Sequence, residues 1–169
     1  GIVGLGTIGT YVAERAEAFG MNISYFGPNE KIDSPYLYQK DLLKLAWTSD
    51  FLFLCCPNTP DTQNLINSEI LEALGSQWTL INIARGPIVN ETDLISALQK
   101  WLIRGAALDV YANEPKVPEA LRLSTRTILV PHIGTQIDDV REKRKHFFIQ
   151  NLKDYFTGVE LPKEAVILS

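Results

Sequence analysis

The chain has 169 residues, of which 46% are hydrophobic and 21% charged, with a net charge of -4. That length and make-up describe one folded domain able to bury a core, and they exclude a wholly disordered chain. The mild negative charge gives no electrostatic drive toward nucleic acid or an anionic membrane, and the longest wholly apolar run, residues 51–56, is far too short to cross a bilayer.

In chain order, an apolar run at 2–5 predicts a strand that passes directly into Gly4-Leu5-Gly6-Thr7-Ile8-Gly9. Ile8, Val12, Ala16 and Phe19 then share one face of a first helix, which Gly20 is placed to end. Strands follow at 21–26 and 51–56, with a helix marked by Leu42, Leu43 and Ala46 between them. Ile70, Leu71 and Leu74 mark a short third helix ahead of a strand at 80–83. Asn90 and Asp93 resemble a helix cap before Leu94, Ile95 and Leu98. Strands at 106–110 and 128–130 precede a last helix, about 138–156, that offers Val140, Phe147, Phe148 and Tyr155 for packing. Its basic stretch, 141–145, follows Asp138 and Asp139 and reads as a solvated face. Cys55 and Cys56 are neighbours in a strand and point to opposite faces, so no bond between them is expected, and a reducing cytoplasmic setting fits.

The strands are continuous apolar runs and alternate with helices, as in sheets covered on both faces. The prediction is an α/β fold, a doubly wound parallel sheet of Rossmann-like, dinucleotide-binding type over residues 1–137, with 138–169 as a C-terminal helix and tail.

In such sheets ligands bind beyond the carboxyl ends of the strands. After the first strand, Gly4 allows a tight turn, Gly6 lets a pyrophosphate approach the backbone, and Gly9 lets the helix pack closely. After the second, the acid that would hold the adenosine ribose hydroxyls is missing: Gly27 stands there, followed by Pro28, Asn29, Glu30 and Lys31. Without a carboxylate at the strand end a 2′-phosphate is not repelled there, and Lys31 offers a countercharge, although Glu30 stands beside it; NADP(H) is favoured as cofactor, and a tolerant pocket that also takes NAD(H) is the alternative. The later strand ends carry Arg85, Glu114 and His132. Each alone has a bland reading: a surface cation, an exposed acid, a satisfied core histidine. Together on one rim they supply a cation for a carboxylate and an acid-held histidine, the groups that reduction of a keto acid requires. No metal is expected.

The stretches GLGTIG, INIARGPIVNE, ALDVYANEP and VPHIGT occur in this order. With them the chain resembles, over essentially its whole length, the cofactor domain of the D-isomer-specific 2-hydroxyacid dehydrogenases, nearest the glyoxylate/hydroxypyruvate and hydroxyphenylpyruvate reductases. The resemblance implies that Arg85 binds the substrate carboxylate and polarises its carbonyl. It makes His132 the acid/base, with Glu114 hydrogen-bonded to it and raising its pKa. It implies Thr7 and Ile8 at the pyrophosphate and Asp109 at the nicotinamide carboxamide. Cys56, Pro57, Thr62, Ile83 and Ala84, with Gly134 in the turn after His132, would line the nicotinamide side.

The same resemblance implies a small 2-oxo or 2-hydroxy acid substrate and a homodimeric full-length enzyme. It also implies a substrate domain that this chain lacks, so that the chain alone binds dinucleotide without turnover. Lys143, Arg144 and Lys145 depart from the small or apolar residues more usual there. Two other readings remain. A dinucleotide-sensing corepressor module would keep the same residues without turning over substrate. A formate dehydrogenase would pair glutamine with the histidine, where this chain has Arg85, Glu114 and His132.

Overall fold

The computed structural model describes residues 1–162. The elements in order are β1 (Ile2–Val3), α1 (Thr7–Ala18), β2 (Ser24–Phe26), β3 (Leu37–Tyr38), α2 (Leu42–Trp47), β4 (Phe51–Leu54), α3 (Ser68–Leu74), β5 (Thr79–Asn82), α4 (Glu91–Gln99), β6 (Gly105–Leu108), α5 (Glu119–Arg122), β7 (Thr127–Leu129) and α6 (Asp138–Thr157). The chain divides into two compact units, Gly1–Pro131 and His132–Ser169. The first holds a 7-stranded sheet in the order β3-β2-β1-β4-β5-β6-β7, with every pairing parallel. The expected doubly wound α/β sheet is what forms.

Helices cover both faces because consecutive strand residues turn opposite ways. Val3, Leu54 and Cys56 join a large buried cluster with Leu71, Leu80 and Leu94. Their neighbours Ile2, Phe53 and Cys55 join a smaller one with Leu5, Ala13 and Tyr25. The two cysteines therefore do point apart, and both are free thiols.

Several local expectations need correction. On α1 the buried residues are Gly9 and Ala13, while Ile8 is 59% and Phe19 85% exposed. A Cβ on Gly9 would strike the Gly4 carbonyl oxygen, so two small residues let the helix sit directly on β1; Val12 packs half-buried against the same cluster, as expected, while Ile8 and Phe19 stand outside it. The second strand starts at Ser24, later than expected. Gly20, at φ +79°, ends α1 with its N–H on the Glu17 carbonyl (2.8 Å), and Met21 N–H reaches the Ala16 carbonyl (3.2 Å). Met21 is thus consumed by the helix terminus. The short β3 and α5 were not foreseen. Asn90 caps α4 as expected, its Oδ1 accepting from the N–H groups of Thr92 (3.1 Å) and Asp93 (3.2 Å).

The second unit contains α6, which buries none of its residues. Val140, Phe147, Phe148 and Tyr155, expected to pack, are all exposed.

Candidate cofactor cleft and active-site rim

The chain runs from β1 outward through β2 and β3, then returns to place β4 on the other side of β1. That reversal opens a crevice at the carboxyl ends of β1 and β4, the usual ligand position in an open parallel sheet. A cleft of about 660 Å³ lies there, lined by Gly6, Thr7 and Ile8 after β1, by residues 55–58 after β4, and by Ile83, Ala84 and Arg85 after β5. A further hollow of about 360 Å³, bordered by Gly1, Gly20, Ser24 and Asp50, contains none of the candidate residues and lies toward the opposite, amino ends of the strands.

The three glycines after β1 differ in what demands them. Gly4 has φ +93°, and a Cβ there would stand 2.7 Å from the Cys56 backbone. Gly9 is demanded by the Gly4 carbonyl, as above. Gly6 is demanded by nothing among the described residues: its φ of -84° suits any residue, and a Cβ would meet none of their atoms within 4 Å. The space in front of it is open to a ligand.

The helix ends tell the same story. Asp41 caps α2, Asn67 caps α3 and Asn90 caps α4 through side-chain oxygens. α5 and α6 also lack a side-chain cap but carry acids in their first turns; on α1 the cap is Gly6, no side chain accepts from the first turn, and no acid lies in it. The N–H groups at this 12-residue helix terminus, with the positive end of its dipole, are a fit for a pyrophosphate.

At the end of β2, the Gly27 carbonyl accepts from the Tyr38 hydroxyl (3.0 Å), and the Lys31 N–H donates to the Tyr25 hydroxyl (2.7 Å). Pro28, Asn29, Glu30 and Lys31 are exposed. A Cβ on Gly27 would meet nothing within 4 Å.

The Arg85 loop is built on Asn82, which is 1% exposed. Its Oδ1 accepts from the Ala84 N–H (3.0 Å) and its Nδ2 donates to the Arg85 carbonyl (3.1 Å). The Arg85 guanidinium, itself exposed, donates to the Ala84 carbonyl (2.6 Å). Gly86 lies so close to the Tyr111 carbonyl that no side chain fits, which holds this loop against residues 109–114. There, Glu91 Oε1 accepts from the Ala112 N–H (2.8 Å) and Glu114 Oε1 from the Tyr111 N–H (3.0 Å). The Tyr111 hydroxyl donates to the Val130 carbonyl (2.9 Å). Arg85, Asp109 and Glu114 thus stand on adjoining loops of one rim, Asp109 being 9% exposed.

Of the residues expected at the nicotinamide side, Cys56, Pro57, Ile83 and Ala84 line the cleft, and Cys55 and Asn58 join them. Thr62 does not line it; its hydroxyl donates to the Pro57 carbonyl (2.7 Å) and accepts from the Thr59 N–H (2.7 Å), bracing the loop that presents Pro57. Burial pushes the Cys55 thiol up to about 12 and raises Cys56 as well. Both shifts favour the neutral thiol over the nucleophilic thiolate. His132 and Gly134 belong to the second unit, where His132 is half-buried with a left-handed φ of +52°.

Asn82, Gly86, Glu91 and Tyr111 were not singled out in the sequence as site residues. They lie inside the same two stretches as Arg85 and Glu114, and a polar asparagine ending an apolar strand was the available signal.

Residues 1–134 match the family described as D-isomer specific 2-hydroxyacid dehydrogenase, NAD binding domain. The chain belongs to this family. Hydroxyphenylpyruvate reductase of Plectranthus scutellarioides is 45% identical over 161 residues, covering 95% of this chain and 51% of the relative. Glyoxylate/hydroxypyruvate reductase A of Arabidopsis thaliana is 42% identical over the same shares of each. Among solved structures, the NADPH-dependent glyoxylate/hydroxypyruvate reductase of Sinorhizobium meliloti, in complex with NADP and malonate, is 38% identical with a TM-score of 0.89, covering 92% of this chain and 49% of that one. The chain therefore spans about half the length of the family members it matches. The uncapped α1, the open space at Gly6 and the close approach at Gly4 and Gly9 fit the dinucleotide that this family domain binds. Among the described residues, no helix is long and apolar enough to cross a membrane, and no group of three or more His, Cys, Asp or Glu could hold a metal ion.

Proposed function

We propose that the chain is the dinucleotide-binding half of a reductase that moves hydride between a nicotinamide cofactor and a small 2-oxo acid, glyoxylate or hydroxypyruvate. The observation that carries this reading is the cleft at the β1–β4 switch, where an uncapped helix and an unobstructed Gly6 share one hollow with Arg85. The substrate class is supported by the relatives, which are named for hydroxyphenylpyruvate, glyoxylate and hydroxypyruvate.

When bound, the nicotinamide supplies hydride to the substrate carbonyl carbon. Thr7 and Ile8 would hold the pyrophosphate through their N–H groups, and Asp109 the carboxamide, with Cys56, Pro57, Ile83 and Ala84 along the nicotinamide side. Arg85 binds the substrate carboxylate and stabilises charge developing on the carbonyl oxygen. His132 gives its proton to that oxygen. Glu114 orients the imidazole and favours its protonated form, using a carboxylate that can accept several bonds besides the one from Tyr111.

The domain boundary we draw falls after residue 137, with α6 returning to the substrate half; its exposed Phe147, Phe148 and Tyr155 support such a partner. We read the whole enzyme as a cytoplasmic homodimer, in keeping with its free thiols.

For the cofactor, the reading is NADP(H) over NAD(H). Gly27 brings no carboxylate to repel a 2′-phosphate, and the exposed Lys31 supplies countercharge. NADPH should bind about tenfold tighter than NADH, the worth of one charge-assisted contact. Lys31→Ala should erase most of that ratio. Comparison of the two dissociation constants tests this, and tighter NADH binding or a ratio indifferent to Lys31→Ala overturns it.

A further inference from the structure

The loop after β2 is held at both ends by phenols. Tyr25 and Tyr38 are partners in the β2–β3 register, and their ring centroids lie 5.3 Å apart with planes inclined at 47°. Tyr38 donates its hydroxyl to the Gly27 carbonyl at 3.0 Å. The buried Tyr25 accepts the Lys31 N–H at 2.7 Å. Between these ties Pro28, Asn29 and Glu30 are exposed. Pro28 also lacks an N–H with which to brace the loop internally. On the other edge, β3 has only two residues and reaches β2 through bonds such as Gln39 N–H to the Tyr25 carbonyl (2.8 Å).

We propose that the Tyr25–Tyr38 pair is the specificity frame of the ribose site. It fixes where the Gly27 turn and the root of the Lys31 side chain stand, and thereby sets the discrimination between a 2′-phosphate and a 2′-hydroxyl. This rests on the cofactor reading above. Lysine is a point charge on a flexible stem, so its preference for a phosphate depends on how firmly its backbone is held. A loop that had to be ordered by the ligand would spend part of that contact on lost entropy. Phenylalanine at either position would keep the ring packing and remove the tie. Neither tyrosine lines the cleft; both are positioning residues.

The test uses the 169-residue chain. Dissociation constants for NADPH and NADH are measured by nicotinamide fluorescence in the wild type, Tyr38→Phe, Tyr25→Phe, Lys31→Ala, and Lys31→Ala combined with each phenylalanine variant. Each phenylalanine variant is expected to lower the NADPH:NADH preference about threefold to tenfold, as loss of one hydrogen bond allows. Lys31→Ala should change the ratio less in either phenylalanine background than in the wild type, because the charge and its frame act together. A purely structural role would weaken both cofactors equally or lower only the unfolding temperature. An unchanged ratio in folded variants, or an equal loss for both cofactors, overturns the proposal. If the buried Tyr25→Phe fails to fold, the half-buried Tyr38→Phe decides alone. A folded wild type that binds neither dinucleotide would remove the cofactor reading itself, a result distinct from binding without a change in ratio.

Discussion

His132→Ala, in the enzyme complete with its substrate half, is expected to lower turnover by about two to four orders of magnitude, the usual worth of a general acid. Reduction of a carbonyl leaves charge on oxygen as hydride arrives at carbon, and that charge must be met by a proton or a cation. His132 is the proposed proton source. Arg85 is the proposed cation, and Arg85→Ala should raise KM as well as lower kcat, because it meets the carboxylate before and during the reaction. Lysine at that position should restore little, since it lacks the planar fork that matches a carboxylate. The Arg85 loop keeps its shape through Asn82, whose bonds go to backbone and not to the guanidinium, so loss of the side chain should leave the fold intact. Near-normal turnover in the His132 variant would remove the histidine from the mechanism.

The glycines after β1 should separate folding from binding. Gly9→Ala drives a methyl into the Gly4 carbonyl and should cost about 2–4 kcal/mol of stability, because backbone cannot swing aside. Gly6→Ala meets no atom of the described residues and should cost about 1 kcal/mol or less, the difference between glycine and alanine as a helix cap. Its methyl would occupy the space assigned to the pyrophosphate, so NADPH affinity should fall at least about tenfold. Denaturant unfolding and fluorescence titration of the two variants give the four values. Gly6→Ala with wild-type affinity would mean that the dinucleotide does not cross that turn.

Most of the sheet could be read from the sequence because strands buried on both faces leave largely apolar runs, unbroken at 51–56. β3 could not, since two residues carry no periodicity, and α5 has only four. The buried face of α1 was misjudged because hydrophobic spacing weights Ile8 and Phe19, whereas close packing on β1 selects the smallest residues, Gly9 and Ala13. That Arg85 and Glu114 would stand on one rim was legible because parallel topology sends strand ends to one side of the sheet; Asp109 was pointed to only by the family resemblance. The supports of this rim were not legible: Glu91 reaches Ala112, 21 residues away, and no local pattern announces that bond. Thr62 shows the reverse case, a residue whose hydroxyl serves its own loop. The phenol ties at Gly27 and Lys31 likewise depend on the β2–β3 register and become visible only with the fold.

Above all, this chain should bind a nicotinamide dinucleotide at the β1–β4 crevice. The most direct test of that binding is titration of residues 1–169 with NADPH, following nicotinamide fluorescence and adding NADP as competitor. Saturable, NADP-displaceable binding is expected, with a dissociation constant below about 1 mM, the upper end of ordinary substrate affinities, and weakened by Gly6→Ala. A folded chain that shows no saturable binding would contradict this.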